Sequence, residues 1–286
     1  MSASLQPSSR LRVFKFRRRS ASEVAAEAAS PSFGLRLPRS NGIVKNLVRF
    51  GLLSSGEPPL TRFSRTEIAT HVNLYSAGRS APNLIVGFAT KHGFIMMGAA
   101  LFLEDLDDAQ HDFLQLADPR REFFDGGIEG FASSMRDLAL RVGNLARERG
   151  YRSIMTYGTS MGGFPAIRAG NLMGADRAIS VGGRYAWHPG SMAKGLRVGA
   201  FDTLCNCRSP LTTRCYLLYS VGCREDLDHA AKLAAIAPAS HRIGVPGRKH
   251  NFPMVLKDKG KLGGFHAEIF NLAREPDPSR IAALMG

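Results

Sequence analysis

Tyr157-Gly158-Thr159-Ser160-Met161-Gly162-Gly163-Phe164 is the stretch on which the fold reading turns. It contains the pattern Gly-x-Ser-x-Gly. The β-type run Ser153-Ile154-Met155-Thr156-Tyr157 enters it, and the helix-type run Pro165-Ala166-Ile167-Arg168-Ala169-Gly170 leaves it. A strand that turns sharply into a helix at a serine holds that serine strained, with its oxygen exposed. Small residues two before and two after it let the chain bend without a clash. The pentapeptide alone arises by chance, and the alternative is a Gly-rich turn with an idle serine. An incoming strand, an outgoing helix and a further glycine at 163 make the reading specific.

Working outward toward the N-terminus, Leu84-Ile85-Val86-Gly87-Phe88 is continuously apolar, as a buried central strand of a parallel sheet should be. A helix is expected over Phe94–Leu106 and a strand from Asp112 that ends before Pro119. A loop at Asp125–Gly130 precedes a long amphipathic helix from about Phe131 to Arg149, stopped by Gly150. Arg65–Ala77 alternates loosely and reads as one or two strands. Residues 41–53 suit a short helix, broken by Gly56-Glu57-Pro58-Pro59.

Toward the C-terminus, a strand is expected over Asp176–Val181, closed by Gly182-Gly183. Residues 184–213 are irregular. A strand over Cys215–Val221 follows, then a helix from Asp228 to Ile236 with Asp228 as its N-cap, and a last strand over His241–Val245. Helical pieces at 252–262 and 265–273 come before a Pro-rich end. Strand and helix thus alternate from residue 82 onward, which predicts an α/β fold with a mostly parallel sheet and helices on both faces.

The chain has 286 residues, 44% of them hydrophobic, enough for one sizeable domain over 41–286. Its net charge is +14, and residues 1–40 supply six of those charges, with eight Lys or Arg against Glu23 and Glu27. Such a basic, Ser/Ala-rich arm is expected to be disordered and solvated, with weak contact to an anionic surface as its one prospective interaction. No specific nucleic-acid partner is expected. No apolar run approaches the ~20 residues of a membrane span, and no apolar h-region follows the basic start, so the expected location is the cytoplasm. The four cysteines, Cys205, Cys207, Cys215 and Cys223, follow no common zinc spacing and no histidine falls among them. Neither a metal nor another cofactor is expected.

Serine needs a base within hydrogen-bond reach, and the base needs an orienting carboxylate. In an elbow-type arrangement the chain order is Ser, acid, His, each after a strand. Ser160 is the candidate nucleophile. His250, in Pro246-Gly247-Arg248-Lys249-His250-Asn251 after the last strand, is the candidate base. His188 precedes the acid loop, and His229, His241 and His266 are weaker. Asp226 is favoured as the acid, four residues past Gly222; Asp228 is the alternative and Glu225 a third option. Backbone N–H groups for an oxyanion are expected from Met161 and from Phe88 or Ala89, with His92-Gly93 a weaker candidate.

Over roughly residues 65–275, through Gly158-Thr159-Ser160-Met161-Gly162-Gly163, the post-strand Asp226/Asp228 and His250, the chain resembles the α/β-hydrolase superfamily. The resemblance implies an eight-stranded sheet, a Ser-Asp-His triad, and hydrolysis of an ester, thioester or amide through an acyl-enzyme. It specifies no substrate; a short cap segment at 184–213 points to an open site for a small-molecule or saccharide-linked acyl ester. The chain departs from the superfamily in having Gly87-Phe88-Ala89 where a His-Gly pair is usual, and in its short, irregular cap segment at 184–213. Two other functions are compatible with these residues: acyl transfer by the same triad, and a non-catalytic binding or scaffold role for the fold.

Overall fold

The apolar run at 84–88 becomes β3 (Asn83–Phe88), in the interior of the sheet, with every residue from Leu84 to Phe88 buried. A computed structural model describes residues 60–78, 80–185 and 212–286. The basic arm, the helix expected over 41–53, His188, Cys205, Cys207 and most of the irregular 184–213 segment lie outside those residues.

Before β3 the alternating stretch forms two strands, β1 (Ser64–Ala69) and β2 (Val72–Ser76). They make a hairpin through Thr70-His71, with His71 at φ 69°. After β3 come α1 (Ala99–Leu103), β4 (His111–Leu116), α2 (Met135–Glu148) and β5 (Ser153–Thr159). A single 3₁₀ turn (Ser160–Gly162) leads into α3 (Gly163–Met173), followed by β6 (Arg177–Val181). The chain continues with β7 (Arg214–Ser220), α4 (Arg224–Ile236), β8 (His241–Val245), α5 (Phe252–Asp258), α6 (Leu262–Ile269) and α7 (Pro278–Met285). The eight strands form one sheet in the order β1-β2-β4-β3-β5-β6-β7-β8. β2 pairs antiparallel with both β1 and β4, and every other pairing is parallel.

Side chains alternate across this sheet, so each strand feeds two cores. Ile85, Phe113, Met155, Tyr157, Ile179 and Tyr216 pack on one face with α1, α5, α6 and α7. Leu84, Val86, Phe88 and Leu114 pack on the other face with α2 and α3, and Cys215 and Leu217 pack there with Leu233 of α4. Helices therefore cover both faces, as the alternating pattern predicts. Among the described residues no helix is long and apolar enough to cross a membrane.

Several elements differ from the sequence expectation, among them the last helical pieces, which run Phe252–Asp258 and Leu262–Ile269 rather than 252–262 and 265–273. α1 is much shorter than Phe94–Leu106, because Met96 takes a left-handed φ of 67° and the Thr90 N–H closes a turn on Phe94 O. α2 starts at Met135 rather than Phe131. Ser134 Oγ accepts from Asp137 N–H, and Asp137 Oδ2 accepts from Ser133 N–H, a reciprocal cap that sets the start. α4 starts at Arg224, so Asp228 is inside the helix and not its cap. The Pro-rich end contains α7, where Asp277 Oδ1 accepts from Ser279 N–H and Arg280 N–H ahead of Pro278 in the first turn.

The sheet is anchored at the start of β6 by Arg177, which is fully buried. Its guanidinium donates to Ile269 O, Asn271 O and Arg274 O at 2.7, 3.0 and 2.8 Å. It also lies 5.1 Å from the Tyr216 ring centroid. The cation thus meets carbonyls at and just beyond the C-terminal end of α6, where the helix dipole favours positive charge. Burial lowers its pKa to about 10, which leaves it charged at neutral pH.

Candidate active site

Ser160 follows the last residue of β5 and has φ 51°. A left-handed backbone at a non-glycine residue is strained, and here it turns the chain from strand to helix in one step. The turn is possible because of its glycines. A Cβ on Gly158 would sit 2.0 Å from Gly162 O, and one on Gly162 would sit 2.0 Å from Phe88 O and 2.9 Å from Ala89 O. The elbow therefore lies directly against the carboxyl end of β3.

The acid and the base come from the two strands at the far side of the sheet. Asp226 lies in the first turn of α4, with its side chain fully buried. Its Oδ2 accepts from Ser220 N–H at 3.2 Å, and its Oδ1 accepts from His250 Nδ1–H at 2.5 Å. Burial alone would raise its pKa. The hydrogen bond and charge of His250, the Ser220 N–H and the Cys223 thiol outweigh burial and hold the carboxyl below its ordinary range. An ionised carboxylate can only accept, so His250 carries its proton on Nδ1 and presents Nε2 as the acceptor. That Nε2 is buried and has no hydrogen-bond partner among the described residues.

The loops that lead from β7 and β8 to these two residues are joined by backbone. Val221 N–H donates to Val245 O at 3.0 Å, and Gly222 N–H to Gly247 O at 2.8 Å. Ser220 Oγ donates to the same Gly247 O at 2.7 Å. The segment after β6 links them to the elbow. Arg184 N–H donates to Ser160 O at 2.8 Å. Two residues earlier, a Cβ on Gly182 would lie 3.1 Å from both Cε1 and Nδ1 of His250. The imidazole thus packs on the segment that also holds the Ser160 carbonyl.

The other candidates are placed elsewhere. Asp228 is exposed and pairs with Lys232 at 2.7 Å. Glu225 pairs with Arg184 at 2.8 Å. His229 Nδ1 accepts from Tyr185 N–H, His241 stacks on Tyr216, and His266 is buried within α6. His92 is exposed in the loop after β3. Met161 is the second residue of the 3₁₀ turn that leads into α3, so its N–H lies at the positive end of that helix. Ala89 differs from expectation. Its N–H donates to Leu116 O at 2.9 Å, because the β3–β4 ladder runs one step past the end of β3, and this donor is already taken. Phe88 is a ladder residue, in register with Leu116 and Gly158.

Cys215 is a buried free thiol in β7, and Cys223 is a free thiol preceding α4. Burial raises the Cys215 pKa to about 11, so it is an inert core residue. Among the described residues no cluster of His, Cys, Asp and Glu is placed to hold a metal ion. Sequence reasoning missed the part of Ser220, whose N–H and Oγ fix both the acid and the His loop. A serine at the end of an apolar strand carries no signal for that. Nor does a strand that ends before Pro119 signal the part played by Asp118. Asp118 is buried and accepts from the N–H groups of Arg120, Glu122 and Phe124.

No family model matches the sequence, and no curated protein matches it significantly. Solved structures do share its fold. A 2,6-dihydroxy-pseudo-oxynicotine hydrolase superposes with a TM-score of 0.50 at 16% identity, over 80% of this chain and 72% of that one. The capsule O-acetyltransferase of Neisseria meningitidis serogroup A superposes with a TM-score of 0.51 at 12% identity, over 78% of this chain and 100% of that one. At such identities the likeness is one of fold.

Proposed function

Since the chain has the α/β-hydrolase fold, we propose that it is a serine hydrolase that cleaves a carboxylic ester, or a related thioester or amide, through an acyl-enzyme on Ser160. The observation that carries this reading is the 2.5 Å bond between buried Asp226 and His250, with His250 packed on the segment that holds the elbow.

The chemistry follows from the parts. His250 Nε2 takes the Ser160 proton as Oγ attacks the carbonyl carbon. The imidazolium that forms is stabilised by the ionised Asp226 on its other nitrogen. Met161 N–H, at the start of the helical turn, receives the negative oxygen of the tetrahedral intermediate. The imidazolium then protonates the departing alcohol. Water, deprotonated by the same nitrogen, releases the acid and restores Ser160. Asp226 keeps the imidazole in the tautomer this requires and is not itself protonated.

The test is labelling by a fluorophosphonate, which phosphonylates an activated serine. The wild-type chain is expected to gain one adduct, mapped by mass spectrometry to Ser160, and Ser160→Ala to gain none. A folded wild-type chain that stays unlabelled would refute the reading.

A further inference from the structure

The loop after β4 is built as a platform beside the elbow. Phe88 of β3 is in register with Gly158 on one side and with Leu116 on the other. Ser160 and Asp118 therefore each lie two residues beyond a ladder partner of Phe88, on strands separated by about 10 Å. The loop is held to the elbow helix at two points. Arg168 Nη1 donates to Asp125 Oδ1 at 2.6 Å, and the Phe123 ring lies edge-on to Phe164, 6.4 Å between centroids. Within it Arg121, Phe123 and Phe124 all take left-handed φ, at 58°, 56° and 59°. Three strained non-glycine residues in four persist only where the surroundings hold them, and here the three N–H bonds to Asp118 do so.

The charges of this loop are unevenly satisfied. Asp118 is committed to backbone N–H groups, Asp125 to Arg168, and Glu122 to Arg120 at 3.8 Å. Arg121 is exposed and has no ion-pair partner among the described residues. The same holds for Lys91 and His92 in the loop after β3. Lys91 and His92 follow β3, and Arg121 follows the adjacent β4, on the same edge of the sheet, just past the paired ends Phe88 and Leu116. Partial desolvation and the charges of Lys91 and Arg121 together depress the pKa of the His92 imidazole. Two uncompensated cations and a hydrogen-bonding ring thus stand at the carboxyl ends of β3, next to the elbow strand, and of β4 beyond it.

We propose that Lys91, His92 and Arg121 form an anion subsite that binds a carboxylate or phosphate group carried by the substrate. The proposal rests on the ester-cleaving reading for its location and deepens it by naming the substrate class, an ester with a negatively charged arm. Arg121 supplies a planar fork for paired oxygens, Lys91 a point charge, and His92 a neutral N–H. All three are exposed, so binding should weaken as ionic strength rises.

The experiment measures binding to the Ser160→Ala chain, so it does not depend on turnover. Calorimetry at low salt compares monoethyl glutarate, which carries a carboxylate, and 3-acetoxypropyl phosphate with uncharged ethyl valerate. At least one anionic probe is expected to bind ten-fold or more tighter than ethyl valerate, and the stronger of the two identifies the source of the anion. Adding Lys91→Gln and Arg121→Asn should reduce that preference to about two-fold. Asparagine removes the charge while tolerating the left-handed backbone. Lys91→Gln alone should give an intermediate loss, and Arg136→Gln, an exposed cation on α2, should give none. No preference for either anion, or a preference that survives the double substitution in a folded chain, overturns the proposal. An anion preference in a chain whose Ser160 resists fluorophosphonate keeps the subsite and refutes only the hydrolase reading.

Discussion

His250 Nδ1 bonds Asp226 Oδ1 at 2.5 Å, and the carboxylate reaches that position from inside the first turn of α4 rather than from the loop before it. The helix N-terminus favours the negative charge, and Ser220 N–H fixes the second oxygen. Asp226→Asn keeps the shape but loses the charge and inverts the donor pattern toward His250. Fluorophosphonate labelling, or turnover of an activated ester, is expected to slow by about 10²- to 10⁴-fold. Asp228→Asn should stay within two-fold of wild type, since Asp228 faces solvent beside Lys232. Equal losses in the two variants would contradict this assignment.

The left-handed Ser160 should cost stability. A non-glycine residue in that region carries roughly 1–2 kcal/mol of strain, and glycine escapes it at a smaller entropic cost. Ser160→Gly is therefore expected to be more stable than Ser160→Ala by about 1 kcal/mol, a Tm difference of roughly 2–4 °C for a chain of this size. Both should resist labelling. Denaturant titration of the two variants checks the order, and an alanine variant as stable as the glycine one would mean that the backbone relaxes.

Arg177 is the second site with a large expected effect. Removing its guanidinium leaves three carbonyls without their donor and opens a void against Tyr216. Arg177→Met should destabilise the fold by about 3 kcal/mol or more, read as a lower urea midpoint. Arg177→Lys restores the charge but not the fork, and should recover only part of the loss.

Two buried histidines make the fold sensitive to mild acid. Burial lowers the pKa of His111 and of His266 to about 4 each. The unfolded chain takes up those protons near pH 6.5 and the folded chain does not, so stability falls as pH drops from 6.5 toward 4. Each residue accounts for roughly 3 kcal/mol at most across that window. Urea midpoints at pH 7 and pH 5 should differ in that direction, and His111→Gln with His266→Gln should flatten the difference. A midpoint that is unchanged or higher at pH 5 would contradict the sign.

Much of this architecture is legible in the sequence. The continuous apolar run Leu84–Phe88 marks β3, because a strand covered on both faces leaves no room for polar alternation. The Gly-x-Ser-x-Gly turn was legible because its glycines answer backbone contacts near 2 Å, and no other residue fits there. The start of α4 was not, since Cys223 is a weak cap and Asp228 a strong one by type. The decision was made by the tertiary bonds of Asp226 to Ser220 and His250. α1 was over-read because a left-handed Met96 carries no sequence signature. The engagement of the Ala89 N–H was not legible, because which N–H groups a ladder consumes depends on strand register, and register between distant segments is not written in either one.

The backbone bonds between the β7 and β8 loops have a consequence for how such a chain can change over time. Val221 to Val245 and Gly222 to Gly247 tie the two loops rung by rung, with Ser220 Oγ closing on the same carbonyl. A residue gained or lost in one loop would displace the other and pull His250 off Asp226. A change of length on one side is expected to keep the Asp226–His250 bond only with a matching change on the other. The two segments, more than twenty residues apart in the chain, are held as a single unit.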